Sequence, residues 1–235
     1  PNLNKPHKGK KVHLLKNLPS QMKGNHTFVN NYFLSNNIFM KKGVKVLGIL
    51  KAGGLSDFWG LQFDSYFNNP GVYEIDMGTS MKKVFNEIGG GYKEPLKAFQ
   101  IGGPLGGVVP LSEIDNLNLD FQEFTLKGFM LGHASIVSIP KDFPMTEYIH
   151  HLFEFSAEES CGKCFPGRLG SYRGKEMFDQ VKKKTAKIPL KLLNELLVTM
   201  KKGCLCALCG AIPTPIMNIL KYFGDEMKGD MVKDN

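Results

Sequence analysis

Two segments decide the fold of this chain: Glu158-Glu159-Ser160-Cys161-Gly162-Lys163-Cys164-Phe165-Pro166-Gly167-Arg168 and, further along, Cys204-Leu205-Cys206-Ala207-Leu208-Cys209. All five cysteines of the protein lie in these two segments. Two thiols in C-x-x-C spacing on a glycine-containing turn can point at one centre, and a second cysteine segment can complete the ligand set. Soft thiolate ligands suit either zinc or an iron–sulfur cluster, and the spacing alone does not choose between them.

The residues around the first cysteine pair resemble a known segment. It is the cluster-binding segment of the flavin-binding, NADH-oxidising subunit of respiratory complex I, and of its relatives in NAD-linked hydrogenases and formate dehydrogenases. That family carries S-C-G-x-C-x-P-C-R-x-G, and later L-C-x-L ahead of a helix that begins with proline. Leu205-Cys206-Ala207-Leu208 and Pro213-Thr214-Pro215 fit the second part. The family's third cysteine falls on Gly167, which has no side chain with which to bind a metal.

The resemblance implies a [4Fe-4S] cluster with four protein ligands. Cys161, Cys164 and Cys206 match the family's positions. The fourth thiolate, missing at residue 167, comes from Cys209 or Cys204, and Cys209 is preferred because it stands in C-x-x-C spacing with Cys206. Three alternatives stay open: a cluster held by three thiolates with one open iron, a zinc ion bound by Cys161, Cys164, Cys206 and Cys209, and a vacant site that holds no metal.

A second, weaker resemblance concerns the flavin site. Asn30 and Asn31, followed by Asn37, resemble part of the family's V-N-N-V-E-T-L-x-N segment, so the family resemblance implies that Asn30 and Asn31 are remnants of a flavin-binding site. Turn or capping chemistry explains the same asparagines equally well. The family's glycine-rich phosphate loop does not precede them, which predicts that this chain alone binds neither FMN nor NAD. The alternative is that the chain is a fragment of a complete flavin- and NADH-binding subunit.

Residues 55–112 carry the pattern of a small sheet domain. Alternating residues flank the turn Asn68-Asn69-Pro70-Gly71, which predicts a β-hairpin. A helix is expected from Met81 to the glycines at 89–91, and a strand at Phe99-Gln100-Ile101 leads into the G-G-P-L-G-G turn at 102–107. This order resembles the family's soluble-ligand-binding β-grasp module.

Residues 145–228 change to a helical period. Four helices are expected, running from about residue 146 to the first cysteine turn, from Leu169 to Lys187, from Leu190 to Met200, and from Pro213 to Gly224. The sequence therefore predicts an α+β fold: a basic arm and linker at 1–54, a β-grasp domain at 55–112, a connector at 113–144, a four-helix iron–sulfur domain at 145–228, and a tail at 229–235. His150 and His151, just before the first cysteine turn, are weaker candidates as metal ligands.

Composition limits the partners. The net charge of +8 comes largely from lysine, yet aromatic and basic residues do not alternate as in single-strand binders, so we expect no nucleic acid partner. No apolar run is long enough to cross a bilayer, and no signal-like segment opens the sequence. Clustered cysteines without a disulfide framework favour a reducing compartment, the cytoplasm or an organelle matrix.

These features together predict an iron–sulfur electron-transfer subunit of an NADH dehydrogenase-, hydrogenase- or formate dehydrogenase-like complex, with the other iron–sulfur and flavin subunits as partners. No nucleophile or acid–base pair is evident, so the chain by itself is not expected to oxidise NADH. The rival prediction is a structural or assembly subunit without a redox role, in which zinc or a vacant cysteine site holds the helices together.

Overall fold

A computed structural model of the chain describes residues 58–232, with side chains from Gly60 onward, and it combines helices with small sheets. Asn30 and Asn31 lie outside the described residues. The strands are β1 Phe58–Phe63, β2 Gly71–Asp76, β3 Leu96–Ile101, β4 Gly107–Pro110, β5 Ile136–Pro140, β6 Ile188–Pro189 and β7 Met231–Val232. The helices are α1 Met81–Lys83 with a π turn Val84–Ile88, α2 Leu111–Ile114, α3 Phe121–Leu126, α4 Met145–Glu159, α5 Phe165–Lys182, α6 Leu190–Gly203, α7 Ala207–Ala211 and α8 Pro213–Phe223.

The chain divides into two compact units. Among the described residues, the first unit holds the chain up to Leu61 and the segment Gly71–Met77, and the second holds Gln62–Pro70 and everything from Gly78 onward. Strands β1 and β2 form a two-stranded sheet. The predicted hairpin is therefore confirmed.

An aromatic cluster lies at the start of the second unit. The rings of Phe67 and Phe99 pack around Phe85, with centroids 5.3 and 4.7 Å from it, and Tyr92 lies 5.4 Å from Phe99. Phe85 belongs to the π turn that continues α1, which ends at Gly89. A β-carbon at Gly89 would meet Phe67 Cδ1 at 2.6 Å, so the glycine predicted to end this helix is required by close packing.

The second sheet has three antiparallel strands in the order β4-β3-β5. Phe99 in the middle strand stands opposite Val109 on one side and Ser138 on the other. The G-G-P-L-G-G turn joins β3 to β4 with Gly102 at φ 99°, a conformation that favours glycine. The strand predicted at 99–101 is confirmed, and it begins three residues earlier, at Leu96.

The helical part of the second unit is built on the long helices α4, α5, α6 and α8. The predicted periods are confirmed, but α5 begins at Phe165 rather than Leu169, because Cys164 occupies its N-cap and Pro166 its first turn. Helix α5 carries glycines on the face that packs against α4 and α6. A β-carbon at Gly170 would lie 2.8 Å from Met200 Cγ, and one at Gly174 would overlap the ring of Phe153. These glycines let the helix axes approach closely.

Three short elements were not expected from the sequence. Helix α3 lies within the predicted connector, where Asp120 accepts the backbone N–H of Glu123 at 2.8 Å as an N-cap. Helix α7 follows Cys206, contains Cys209 and precedes α8. Strand β7, in the predicted tail, pairs in parallel with β6. Along the described part of the chain, no helix combines the length and the apolar character that crossing a membrane requires.

Candidate metal centre

The first cysteine segment is a turn between two helices. Helix α4 ends at Glu159, and the chain then turns through Gly162, whose φ of 73° lies in the left-handed region that suits glycine. Ser160 Oγ accepts the backbone N–H of Gly162 at 3.3 Å. Cys164 is the N-cap of α5, and its carbonyl accepts the N–H of Arg168 at 2.9 Å. The turn leaves Cys161 exposed and Cys164 half-buried.

The second cysteine segment is built in a similar way from the end of α6. The N–H of Cys204 bonds to the carbonyl of Met200 at 3.2 Å and closes that helix. Cys206 then takes the N-cap of α7. Cys206 is exposed, Cys204 is half-buried, and Cys209 inside α7 is buried. Helix ends therefore present the thiols of both segments.

Hydrogen bonds join the two segments at Cys164. The backbone N–H groups of Leu205 and Gly167 donate to its sulfur, and the Cys204 side chain is a further hydrogen-bond partner. The Leu205 N–H, followed by the Gly167 N–H, holds the pKa of the Cys164 thiol below its usual range. Because Leu205 belongs to the second segment, this bond brings the two distant cysteine groups into contact. A stabilised thiolate is the form in which cysteine binds a metal.

Crowding has the opposite effect on Cys204. Burial, followed by the negative charges of Cys164, Cys209 and Cys206, raises the pKa of its thiol to about 12. The four thiols are therefore close enough to interact electrostatically. Such a group holds its full negative charge only when a metal centre compensates that charge.

The space beside Gly167 shows what replaces the family's third cysteine. A β-carbon built on Gly167 would lie 2.9 Å from Cys164 Sγ and 3.1 Å from Cys209 Sγ. The two sulfurs are thus no further apart than the sum of these distances. The sulfur of Cys209, on α7, therefore borders the space that a side chain at residue 167 would occupy.

Three serine hydroxyls surround the Cys209 sulfur. Ser156 Oγ on α4 and Ser171 Oγ on α5 lie 3.8 and 3.7 Å away as donors, and they contact each other at 2.8 Å. The Cys209 thiol donates to Ser160 Oγ at 3.9 Å. Hydroxyl donors stabilise a thiolate in a buried place. The sequence reasoning missed these serines, because they lie on helix faces with no spacing relation to the cysteines.

The two histidines do not share one environment. His150 is buried, and its Nε2 lies 2.7 Å from Asp179 Oδ1, a contact that joins α4 to α5. His151 is exposed. Over residues 58–232, no three side chains of His, Cys, Asp or Glu are arranged to hold a single metal ion.

The chemistry of the donors, thiolates alone, is that of a polynuclear cluster, and the contacts described above join Cys164, Cys204, Cys206 and Cys209 but do not include Cys161. Four thiolates are the ligands that a [4Fe-4S] cluster takes, and its several irons let the sulfurs stand further apart than a single ion does. The contact of both segments at Cys164 and the Cys209 sulfur beside Gly167 supply two parts of such a set.

The helical part of the chain matches a known family. Residues 147–230 match the family described as the NADH-ubiquinone oxidoreductase-F iron-sulfur binding region. The matched range contains α4 to α8 and all five cysteines.

Individual relatives extend the similarity beyond that region. The NADP-reducing hydrogenase subunit HndC of Solidesulfovibrio fructosivorans is 32% identical over 161 residues, which is 67% of this chain and 33% of the relative. The F-type subunit of the NADH-quinone oxidoreductase of Rickettsia bellii is 29% identical over 167 residues, which is 69% of this chain and 40% of the relative. The chain thus spans between a third and two fifths of the length of these relatives.

A solved structure shares the fold. The crystal structure of an NAD+-reducing [NiFe]-hydrogenase in the H2-reduced state aligns with a TM-score of 0.66 and 19% sequence identity, over 76% of this chain and 30% of that one. At this identity the likeness concerns the fold alone.

Proposed function

Residues 147–230 are an iron–sulfur binding region of the NADH-ubiquinone oxidoreductase-F type, and from this premise we propose that the chain is an iron–sulfur electron-transfer subunit of a multi-subunit oxidoreductase. The region belongs to proteins that carry a [4Fe-4S] cluster, and such a cluster, when bound, accepts and passes on single electrons. The complex is of the NADH dehydrogenase, hydrogenase or formate dehydrogenase kind.

The observation that carries the proposal is the meeting of the two cysteine segments. The Leu205 N–H bonds to the Cys164 sulfur, and the Cys209 sulfur borders the space beside Gly167. A new cysteine at this position is expected if it replaces the lost third ligand. It is not expected if the site no longer binds a cluster. The compensation of Gly167 by Cys209 supports a site that still binds its cluster.

The proposed ligands are Cys161, Cys164, Cys206 and Cys209. Cys161 and Cys206 are exposed and Cys164 is half-buried, so these thiols face the side from which a cluster is inserted. Cys209 approaches from the buried side. Cys204, the fifth cysteine, contacts Cys164 and remains the alternative fourth ligand.

The surrounding residues stabilise negative charge on this centre. Cys164 stands at the N-terminus of α5, an 18-residue helix whose dipole is positive at that end. The Gly167 and Leu205 N–H groups donate to its sulfur. Lys163 and Arg168 are exposed cations within the same turn. All of these favour the more negative, reduced state, so they raise the reduction potential.

The domain scheme and the partners are part of the same proposal. The hairpin β1–β2, the short helix α1 and the paired strands β3 and β4 support a β-grasp domain at residues 55–112, followed by a connector at 113–144, whose strand β5 adds to the same sheet, and a helical domain at 145–228. The same proposal assigns the sequence at 1–54, which lies outside the described residues, to a basic arm and linker, and the sequence at 229–235 to a tail. The partners are the other iron–sulfur and flavin subunits, in the cytoplasm or an organelle matrix, where the chain is peripheral.

Anaerobic purification tests the proposal directly. We expect a brown protein with broad visible absorption, about four irons and four sulfides for each chain, and an electron paramagnetic resonance signal after reduction. A colourless, iron-free preparation under strict exclusion of oxygen would contradict it.

The same preparation also tests the alternative of a structural or assembly subunit. One zinc for each chain, with no iron, would show a structural thiolate site. A preparation with neither metal, still folded by circular dichroism, would show an assembly subunit with a vacant site. The sequence of the intact gene product tests whether the chain is a fragment of a flavin- and NADH-binding subunit.

A further inference from the structure

A surface cavity borders the first cysteine segment. Its volume is about 620 Å³, and it lies between the end of α4 and the first three turns of α5. Its walls are formed by eight residues: Ala157, Ser160, Gly162, Arg168, Leu169, Tyr172, Arg173 and Glu176. No cysteine lines it, although Ser160, Gly162 and Arg168 belong both to its wall and to the first cysteine turn.

The charges of this cavity are unusual for the chain. Of its 30 lysines and arginines only two are arginine, Arg168 and Arg173, and both line the cavity. The remaining 28 of these basic residues are lysines. Arginine presents a planar fork that binds a carboxylate through two parallel hydrogen bonds, which lysine cannot do. The choice of arginine at this one place indicates carboxylate recognition.

The two guanidinium groups are available for a ligand. Arg173 makes one long contact, 3.4 Å, to Glu176, and both side chains are about half exposed. No acidic side chain in residues 58–232 forms an ion pair with Arg168; its guanidinium instead lies 5.1 Å from the centroid of the Phe165 ring. Stacking on a ring holds the guanidinium in place and leaves its donors free.

The apolar part of the same surface points to a protein ligand. Phe165, Leu169 and Tyr172 are 68, 55 and 60% exposed. They stand at positions i, i+4 and i+7 of α5 and therefore share one helix face. Aromatic and arginine side chains together are the composition of protein–protein interface centres, whereas a free small carboxylate needs no such apolar strip.

We propose that this cavity and the exposed strip of α5 dock a segment of a partner protein that presents acidic side chains next to apolar ones. Its carboxylates bind Arg168 and Arg173, and its apolar side chains cover Phe165, Leu169 and Tyr172. The inference rests on the proposed function in one respect, that the chain works inside an assembly. It assigns the contact to the surface beside Cys161, so the partner comes close to the outer edge of the cluster site.

Arginine-selective labelling of the native assembly tests the docking site. Phenylglyoxal modifies guanidinium groups, and with two arginines in the chain, peptide mass spectrometry reports on this surface alone. We expect both arginines to react in the isolated chain and to be protected in the assembly, while Lys182 and Lys183 stay open to acetylation in both. Equal labelling of the arginines in both states overturns the proposal. So does a chain that isolates from its own cells as a monomer at low salt.

Matched variants give the energetic test. Arg168→Gln with Arg173→Gln is expected to weaken assembly about tenfold or more, and the same positions changed to Lys are expected to recover only part of it. Lys182→Gln with Lys183→Gln removes the same charge on the same helix and is the control. Equal weakening by both pairs overturns the proposal in favour of a general charge effect. Full competition by free glutamate overturns it in favour of a small-molecule site.

Iron content separates this inference from the proposed function. If Arg173→Gln alone, outside the cysteine turn, keeps the visible absorption of the wild type but assembles poorly, both statements hold. If the wild-type protein contains no iron and its arginines are still protected in an assembly, the docking site holds and the electron-transfer role fails.

Discussion

At Gly167 the missing side chain leaves room in which two sulfurs face each other. A β-carbon there would lie 2.9 Å from the Cys164 sulfur and 3.1 Å from the Cys209 sulfur. Both are closer than ordinary van der Waals contact, so a larger residue 167 and Cys209 compete for the same space. The proposed replacement of the ligand at 167 by Cys209 is therefore sterically consistent.

Serine substitution tests which cysteine is the fourth ligand. Cys209→Ser is expected to lower the iron content from about four per chain to three or fewer and to reduce visible absorption in proportion, because a hydroxyl is a poor ligand for a cluster. Cys204→Ser is the matched control, and it is expected to retain the chromophore. Iron analysis and absorption of anaerobic preparations measure both. The reverse result would assign the fourth position to Cys204.

A ligand exchange tests the steric argument itself. Gly167→Cys combined with Cys209→Ala moves the thiol back to the family's third position and removes the sulfur that borders it. We expect this double variant to recover most of the iron that Cys209→Ala alone loses. Failure to recover iron in a folded double variant would show that the two positions are not equivalent.

At the scale of helices and strands, close packing of α4 and α5 shapes the cluster site. Ser156 on α4 and Ser171 on α5 contact each other at 2.8 Å directly beneath Cys209. Further along the two helices, His150 bonds to Asp179 at 2.7 Å, and Gly174 lies against Phe153. The packing of α4 against α5 therefore fixes the positions of the residues that contact Cys209.

A methyl group at the helix contact is expected to destabilise the protein. Gly174→Ala places its β-carbon into the ring of Phe153, and overpacking of this kind costs about 1–3 kcal/mol. Alanine in an open helix position would instead stabilise by about 0.5–1 kcal/mol relative to glycine. Denaturant unfolding measures the difference. Gln180→Ala, at an exposed position of the same helix, is the control and is expected to change little.

The contact of α4 with the sheet predicts a loss of stability at alkaline pH. Tyr148 on α4 donates its hydroxyl to Gln100 Oε1 at 2.6 Å. Burial, followed by the charge of Asp64, raises the pKa of Tyr148 well above its usual range, and burial, followed by Asp115, raises the pKa of Tyr92 to about 12. The unfolded chain loses these protons near pH 10, whereas the folded chain keeps them. Stability is therefore fully present below about pH 10 and falls as pH rises further.

Unfolding free energies measured from about pH 8 to 11.5 check this slope. Tyr148→Phe is expected to flatten it and to lower stability by about 1–3 kcal/mol at neutral pH, because Gln100 loses its partner. Tyr92→Phe added to Tyr148→Phe should flatten the slope further. A slope that is unchanged in both variants would mean that other groups cause the alkaline loss.

For the whole molecule, charge and size define its relation to other proteins. The net charge is +8, and six lysines lie within the first 23 residues. The chain spans a third to two fifths of its relatives' length, and its cysteine region is the part that matches the family. Long-range attraction to an acidic surface increases association rates and weakens with added salt.

Partner binding is accordingly expected to depend on ionic strength. Raising salt from about 0.05 to 0.5 M should weaken the complex about tenfold or more, because the Debye length shrinks well below the separation of surface charges. Lys8→Gln, Lys10→Gln and Lys11→Gln together should reduce this dependence. Surface plasmon resonance at several salt concentrations measures it. An affinity that is indifferent to salt would contradict the prediction.

The site shows how much of this molecule the sequence predicted. Cysteine spacing identified the two segments, and the family pattern identified residue 167 as the lost ligand. The preference for Cys209 over Cys204 as the fourth ligand rested only on the C-x-x-C spacing of Cys206 and Cys209. The steric relation between Gly167 and Cys209 depends on how α7 packs against α5, and no local pattern contains that information.

Local chemistry determined the elements of this protein: apolar periods gave the long helices, Pro166 and the caps gave their starts, and glycines gave the turns. These properties act over a few neighbouring residues, so they can be predicted from the sequence. Tertiary structure alone decided which sulfurs meet, which serines support Cys209, and why both arginines share one cavity. Such relations join residues that are distant in the chain, and only the packing of α4, α5 and α7 brings them together.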